Sequence, residues 1–242
     1  MKKMILGLAL AAFAVTGANA QRIVNNPDNK PFWGVRASLD ITCPTDVTYK
    51  YKSSKEKMDL MDNGCGFSVG AVYNLPIVAN FYFEPGVSFF YNTWKWNDKG
   101  YFDDLDGIDL KHNSIRQSGL RIPLNLGYHF DFTDDFKVSI FTGPQLEVGF
   151  HCDSYVTAEA KVGGTTLESH EAYSLYKEMD GTKFNRFNVD WNIGVGFTYQ
   201  KFYLGVTGSL GLTNMLHVKD LDDDEKEYFH KNTVGIALGY NF

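Results

Sequence analysis

The stretch Arg186-Phe187-Asn188-Val189-Asp190-Trp191-Asn192-Ile193-Gly194-Val195-Gly196-Phe197-Thr198-Tyr199 decides the fold class. Every odd residue from Phe187 to Tyr199 is large and apolar, and every even one is polar or glycine. A period of two marks a β-strand, because successive side chains leave a pleated backbone on opposite faces. Gln200-Lys201 follows. Phe202 to Leu212 then resumes the alternation, with Leu204, Val206, Leu210 and Leu212 on the apolar face. Two such runs joined by two residues predict a hairpin.

Six further runs alternate in the same way: Phe32 to Ile41, Gly66 to Leu75, Asn80 to Asn92, Gly119 to Phe130, Phe136 to Phe150 and Thr233 to Phe242. Their apolar faces carry no charged residue, whereas Arg36, Asp40, Glu84, Arg121, Lys137, Glu147 and Asp190 all fall on the polar faces. A charge facing lipid at mid-depth costs about 2–4 kcal/mol, which would enforce such a partition. A soluble barrel gives the same alternation with the faces reversed, so periodicity alone does not assign inside and outside. The aromatics do. With the chain starting in the periplasm, Trp33, Tyr73, Phe81, Phe83, Tyr128, Phe130, Phe136, Tyr199, Phe202, Tyr240 and Phe242 gather at one end of their strands. Phe67, Tyr91, Phe150 and Phe187 make a sparser ring at the other end. A membrane–water interface selects such girdles.

Connections alternate in length. Short turns fall at 76–79, 131–135 and 200–201, and long polar loops at 42–65, 93–117, 151–185 and 214–231. The expected fold is all-β: an eight-stranded antiparallel transmembrane β-barrel with short periplasmic turns and four long extracellular loops. Closure removes the sheet edges that hydrocarbon does not tolerate. Pro85, Pro123 and Pro144 interrupt predicted strands, and their missing N–H groups predict bulges or local distortion.

The expected organisation is a signal peptide over 1–20, a loose periplasmic leader over 21–31 and the barrel domain over 32–242. Lys2 and Lys3 precede an apolar run from Met4 to Val15, and Ala18-Asn19-Ala20 matches a small-x-small cleavage site. The chain has 242 residues, is 44% hydrophobic and 15% aromatic, and carries a formal charge of -6. That balance excludes a disordered chain and argues against nucleic acid as a partner, since phosphate binding needs a basic face.

The polar-face charges predict a structural salt-bridge network in the lumen, with Asp40, Arg121, Glu147 and Asp190 in the upper half. Arg36, Glu84, Lys137 and His129 fall lower, Arg36 within reach of Glu84. An eight-stranded barrel has room for side chains rather than a channel. Cys43 and Cys65 bracket the first long loop in a compartment that permits a disulfide between them, leaving Cys152 single. Asp103, Asp104, Asp106 and Asp222, Asp223, Asp224 are weak calcium candidates whose spacing does not fit an EF-hand. The hydrated acidic loop is the simpler account. No G-x-S-x-G occurs, and the histidines are scattered. No catalytic residue, resident metal or cofactor is therefore assigned.

Four stretches carry a family resemblance: Leu120 to Tyr128 (LRIPLNLGY), Phe141-Thr142-Gly143-Pro144, Trp191 to Phe197 (WNIGVGF) and Gly208 to Asn214 (GSLGLTN). The chain resembles the outer-membrane β-barrel domain family of Gram-negative bacteria that includes PorT-like proteins. By size and strand count it is also similar to the small OmpA-type barrels. The closing Tyr240-Asn241-Phe242 is similar to the signal that barrel-assembly machinery reads. The resemblance implies outer-membrane localisation, contact with outer-membrane lipid and no shared catalytic residues. The expected role is non-enzymatic: binding, adhesion or membrane organisation through the surface loops. The alternatives are an accessory part of a protein secretion apparatus, as the PorT-like resemblance allows, a lipid-modifying enzyme in the barrel wall, and a soluble ligand-carrying barrel.

Overall fold

A computed structural model of the chain describes residues 29–52, 54–97, 108–162, 165–179, 181–219 and 225–242. In chain order the strands are β1 (Phe32–Pro44), β2 (Val47–Tyr51), β3 (Ser54–Met58), β4 (Met61–Val78), β5 (Phe81–Trp96), β6 (Ile108–Asp131), β7 (Phe136–Val162), β8 (Thr165–Ser174), β9 (Thr182–Phe184), β10 (Phe187–Tyr199), β11 (Phe202–Gly211), β12 (Leu216–Val218), β13 (Glu225–Tyr228) and β14 (Lys231–Asn241). Eight of them, β1, β4, β5, β6, β7, β10, β11 and β14, pair in an antiparallel cycle. The cycle closes through β7 with β10 and β14 with β1.

Side-chain exposure fixes which face points outward. Leu39 is 75% exposed, Leu238 65% and Ile193 62%, whereas Arg121, Asn125, Glu147, Asp190 and Asn192 are buried. A soluble protein shows the reverse. The apolar wall is a stable surface only against acyl chains, where every backbone polar group must be satisfied within the barrel. Strand register completes the lower girdle. Trp33 faces Tyr73, Phe81 faces Tyr128, Tyr199 faces both Phe136 and Phe202, and Phe202 faces Tyr240. Neighbouring rings touch at 4.5 Å for Trp33–Tyr73, 4.8 Å for Phe81–Tyr128 and 5.6 Å for Phe202–Tyr240. In the upper ring, Phe67 meets Tyr91 at 5.9 Å.

Two of the periplasmic turns are two residues long, and each begins in the left-handed region, Ala79 at φ 51° and Gln200 at φ 53°. The first turn thus falls at 79–80 rather than 76–79, because β4 runs on through Val78. Of the bulges or local distortion predicted at Pro85, Pro123 and Pro144, the structure has the local distortion and not the bulges. Register is the same on both sides of each proline, and pairing lapses locally beside Pro85 and, between β6 and β7, beside Pro123 and at Pro144. The bulges lie elsewhere, including between Asp62 and Cys65 of β4 and around Phe150 of β7. The second re-phases its strand. Glu147 and Gly149 face inward below it, and Cys152 and Ser154 face inward above it. One extra residue in a strand of period two swaps its faces.

The long loops are more ordered than polar loops need be. β6 has 24 residues and β7 has 27, against the roughly 9–11 that a tilted strand needs to cross a bilayer. Their upper halves continue outward with β8 added to the edge of β7. Strands β13-β2-β3 and β9-β12 form two small sheets at the same end. Together these elements cap the barrel. The leader is also tied down where it is described: Asn29 donates to Asn80 Oδ1 at 3.3 Å and accepts from Lys137 Nζ at 2.9 Å. Residues 1–28, including the predicted signal peptide, lie outside the described residues.

Candidate functional site

The lumen is organised in layers. At the periplasmic floor, Tyr82 stacks on His129 with ring centroids 4.0 Å apart. His129 Nδ1 meets Ser139 Oγ at 2.8 Å and its Nε2 lies 3.4 Å from Asn74 Nδ2. Asn74 also donates to Glu84 Oε2 at 3.0 Å. Arg36 spreads over the Tyr203 ring at 3.9 Å and donates to Asn241 Oδ1 at 2.8 Å. Tyr203 fits there because Gly196 and Gly205 leave room, and a Cβ on either would strike its ring or hydroxyl.

Above the floor lies a polar chamber of about 130 Å³, lined by Arg36, Glu84, Asn125, Gln145, Asn192 and Ser209 among others. It can hold a few waters. Arg36 and Glu84 both face it, but each makes its hydrogen bond elsewhere: Arg36 donates to Asn241 and Glu84 accepts from Asn74. Lys137 does not join the central charges. It lies at the bottom, 3.5 Å from Asp131.

The chamber is roofed by a charge cluster. Arg121 is bonded to Asp40 at 2.6 Å and to Glu147 at 3.2 Å. Lys231 Nζ lies 2.5 Å from Glu147 Oε1 and 2.5 Å from Gln117 Oε1. Gln117 in turn donates to Glu147 Oε1 at 3.2 Å and to the Tyr176 hydroxyl at 3.0 Å. Asp190 accepts from Gln145 at 3.0 Å. Arg121 and Lys231 both lie over the Phe90 ring, at 4.4 and 5.2 Å. Each charge is buried and each is paired or hydrogen-bonded, as a low-dielectric interior demands. Lys231 is the member that sequence reading missed, because the predicted last strand began at Thr233. Its alternation with Thr233 and Gly235 on the polar face was the available signal.

An apolar cap core sits above the cluster: Val47, Met61, Trp94, Ile115, Cys152, Tyr176, Phe184, Met215 and Phe229. Asn214 organises the backbones around it. Its Oδ1 accepts from Leu216 N at 3.1 Å and Phe229 N at 2.8 Å, and its Nδ2 donates to Glu227 O at 2.6 Å. Asn113 does the same for Trp96, accepting from its N at 2.8 Å and donating to its O at 3.0 Å. At the cap surface, Tyr49 donates to Glu225 at 2.7 Å. That bond holds the phenol proton and pushes its pKa up to about 12. Lys219 binds Glu178 at 2.6 Å and holds that carboxyl below its ordinary value.

The Cys43–Cys65 bridge that the sequence allows is not formed; both thiols are free, as is Cys152. Cys65 is registered against Ile41, which sets it two rungs away from Cys43, and diagonal neighbours are roughly 7–8 Å apart. The calcium candidates Asp103, Asp104, Asp106, Asp222, Asp223 and Asp224 lie outside the described residues. Among the described residues no cluster of His, Cys, Asp and Glu has the geometry to hold a metal.

The sequence pattern of the outer membrane protein beta-barrel domain matches residues 18–217. The chain belongs to this family. It is a protein of the bacterial outer membrane, and its inverted wall is the surface that a bilayer demands. No curated protein sequence matches this family member. Solved structures that it is similar to include OprG from Pseudomonas aeruginosa, at 14% identity over 87% of this chain and 95% of that one, with a TM-score of 0.44. Others are Ail, the attachment invasion locus protein of Yersinia pestis, solved with the heparin analogue sucrose octasulfate (11% identity, 87% and 99% covered, TM-score 0.34), and the outer membrane protease OmpT from Escherichia coli (9%, 90% and 98%, 0.35). Likeness at this level says nothing about function.

Proposed function

We propose that this outer-membrane barrel is a non-enzymatic binding component whose working surface is its extracellular cap. The carrying observation is the stack of obstructions in the lumen: floor, charge cluster and apolar core lie one above another along the axis. A side-chain-filled barrel offers no route for solutes. What selection can act on is then the folded cap, where binding residues are carried on loops that a rigid scaffold positions.

The chemistry at hand supports a role without catalysis. Ser139 and His129 touch, but both are buried in the floor beneath Tyr82, where no acyl substrate reaches them. Tyr240 and Phe242 sit 5.2 Å apart on the lower girdle, an aromatic chain end of the kind that assembly machinery would read. The partners proposed are outer-membrane lipid, the barrel-assembly machinery during biogenesis, and a surface or secretion-apparatus protein.

Photocrosslinkers at the exposed cap residues Lys55, Lys226 and Tyr228 test this in intact cells, with Gln200 in a periplasmic turn as the control site. The expected result is a discrete adduct from the cap positions and none from Gln200. Solute conductance in planar bilayers together with a crosslink-free cap would sink the reading.

A further inference from the structure

We propose that the cap holds a binding site for a single-chain amphiphile with an anionic head group, such as a medium-chain alkanoate. The proposal rests on the reading of the cap as the working surface. The site is a cavity of about 320 Å³, more than twice the size of the lumen chamber, on the water side of the charge cluster. Its walls come from elements far apart in sequence. Val47, Met61, Trp96, Leu175, Phe184 and Leu216 form the apolar interior. Met58 and Met179 stand at the lip, where they are 39% and 48% exposed.

Three features select the ligand. The lining offers few groups that could satisfy a polar body such as a sugar, so the buried part of a ligand must be apolar. Small-molecule sites span about 300–1,000 Å³, and this cavity lies at the lower end, which suits one chain rather than a two-chain lipid. Two methionines at the lip are adaptable, since an unbranched thioether re-packs around chains of differing shape.

Charge supplies the head group. Lys177 and Lys183 border the cavity against a single acid, Glu227. Neither lysine has an ion-pair partner at contact distance among the described residues; Glu178 makes its contact with Lys219, at 2.6 Å, and feels Lys183 only at longer range. Among the described lining residues the two lysines outnumber the one acid, and that local field draws an anion and repels a cation.

The full-length barrel in discs of neutral phospholipid, titrated calorimetrically with dodecanoate against empty discs, tests the site. One saturable site per barrel is expected above the partitioning seen in empty discs. The double variant Lys177→Glu/Lys183→Glu should weaken it about tenfold. Leu216→Trp, which fills the cavity, should abolish it. If Leu216→Trp loses heat-modifiable gel migration, Met58→Trp at the exposed lip takes its place. No saturable binding above the blank, unchanged binding in the filled variants, or dodecanol binding as tightly as dodecanoate would each overturn the proposal. Crosslinking from Lys55 and Lys226 separates the two readings: adducts without dodecanoate binding reject the ligand alone, and wild-type cells without adducts reject the cap as the working surface.

Discussion

The wall and the cap of this protein obey opposite rules. Across the membrane the polar side chains are inside and the apolar ones outside. A short distance above it, in the cap, Trp94, Ile115, Met215 and Phe229 are fully buried while Lys, Glu and Tyr face water. The chain chemistry is the same in both regions. The solvent differs, and each region turns outward whatever its surroundings dissolve. The charge cluster of Asp40, Arg121, Glu147 and Lys231 lies at the boundary, with the polar chamber below it and the apolar core above.

The comparison can be broken most severely at that boundary. Glu147→Gln strips two buried cations of their shared carboxylate and should cost about 3–5 kcal/mol. Urea unfolding followed by heat-modifiable migration reads this, and a loss under 1 kcal/mol would mean that water reaches the cluster. Phe229→Ala removes a fully buried ring from the cap, worth about 3–5 kcal/mol locally. Protease added to intact cells should then cut the cap while the barrel stays folded. If the barrel unfolded too, the two regions would be one cooperative unit.

Ile236→Arg probes the wall. Ile236 is registered between Leu39 and Val206 on the outer face, and a cation there should cost about 2–4 kcal/mol. The matched change Tyr228→Arg on the cap should stay within about 0.5 kcal/mol. Equal effects at both sites would erase the distinction between the two solvents.

The smallest expected effects are in the cap's surface ties and depend on pH. Glu178 titrates below its ordinary value of 4.5, so the Lys219 tie contributes above that value and is lost as pH falls through the lowered one. Tyr49 is raised from 10.0 to about 12, so its tie to Glu225 holds below pH 10 and is lost as pH rises through about 12. Hydrogen exchange at β2, β13 and residues 177–179 should rise at the corresponding extreme, with the barrel amides unchanged. Tyr49→Phe should abolish the alkaline effect alone.

Much of the wall was legible because lipid constrains it one residue at a time. The alternation in Phe187 to Tyr199 survives with its register unbroken from β7 across β10 to β11. The placement of Arg121 against Glu147 follows from neighbouring strands joined by one short turn. Legibility failed where a long-range contact outweighed a local rule. At Pro85, Pro123 and Pro144 only the local distortion of the two predicted outcomes occurs, and the strands stay in register, because a closed ladder spreads the loss of one N–H over neighbouring pairs. The bulge at Phe150 that turns Cys152 inward leaves no mark on hydropathy. The loops read as polar because their apolar residues, Met61, Trp96, Phe184, Met215 and Phe229, are spaced without a period. They form a core only after four loops meet.

By itself the sequence determined that this chain is a closed barrel in a membrane, and which flank of each strand meets the acyl chains, because a charge-free flank whose aromatics gather at the strand ends fits a membrane–water interface and not a soluble core. Only the tertiary structure decided how the barrel is stoppered and roofed. Lys231, Gln117 and Tyr176 come from three distant segments; Lys231 and Gln117 reach Glu147, and Tyr176 reaches Gln117, only once closure brings the segments together.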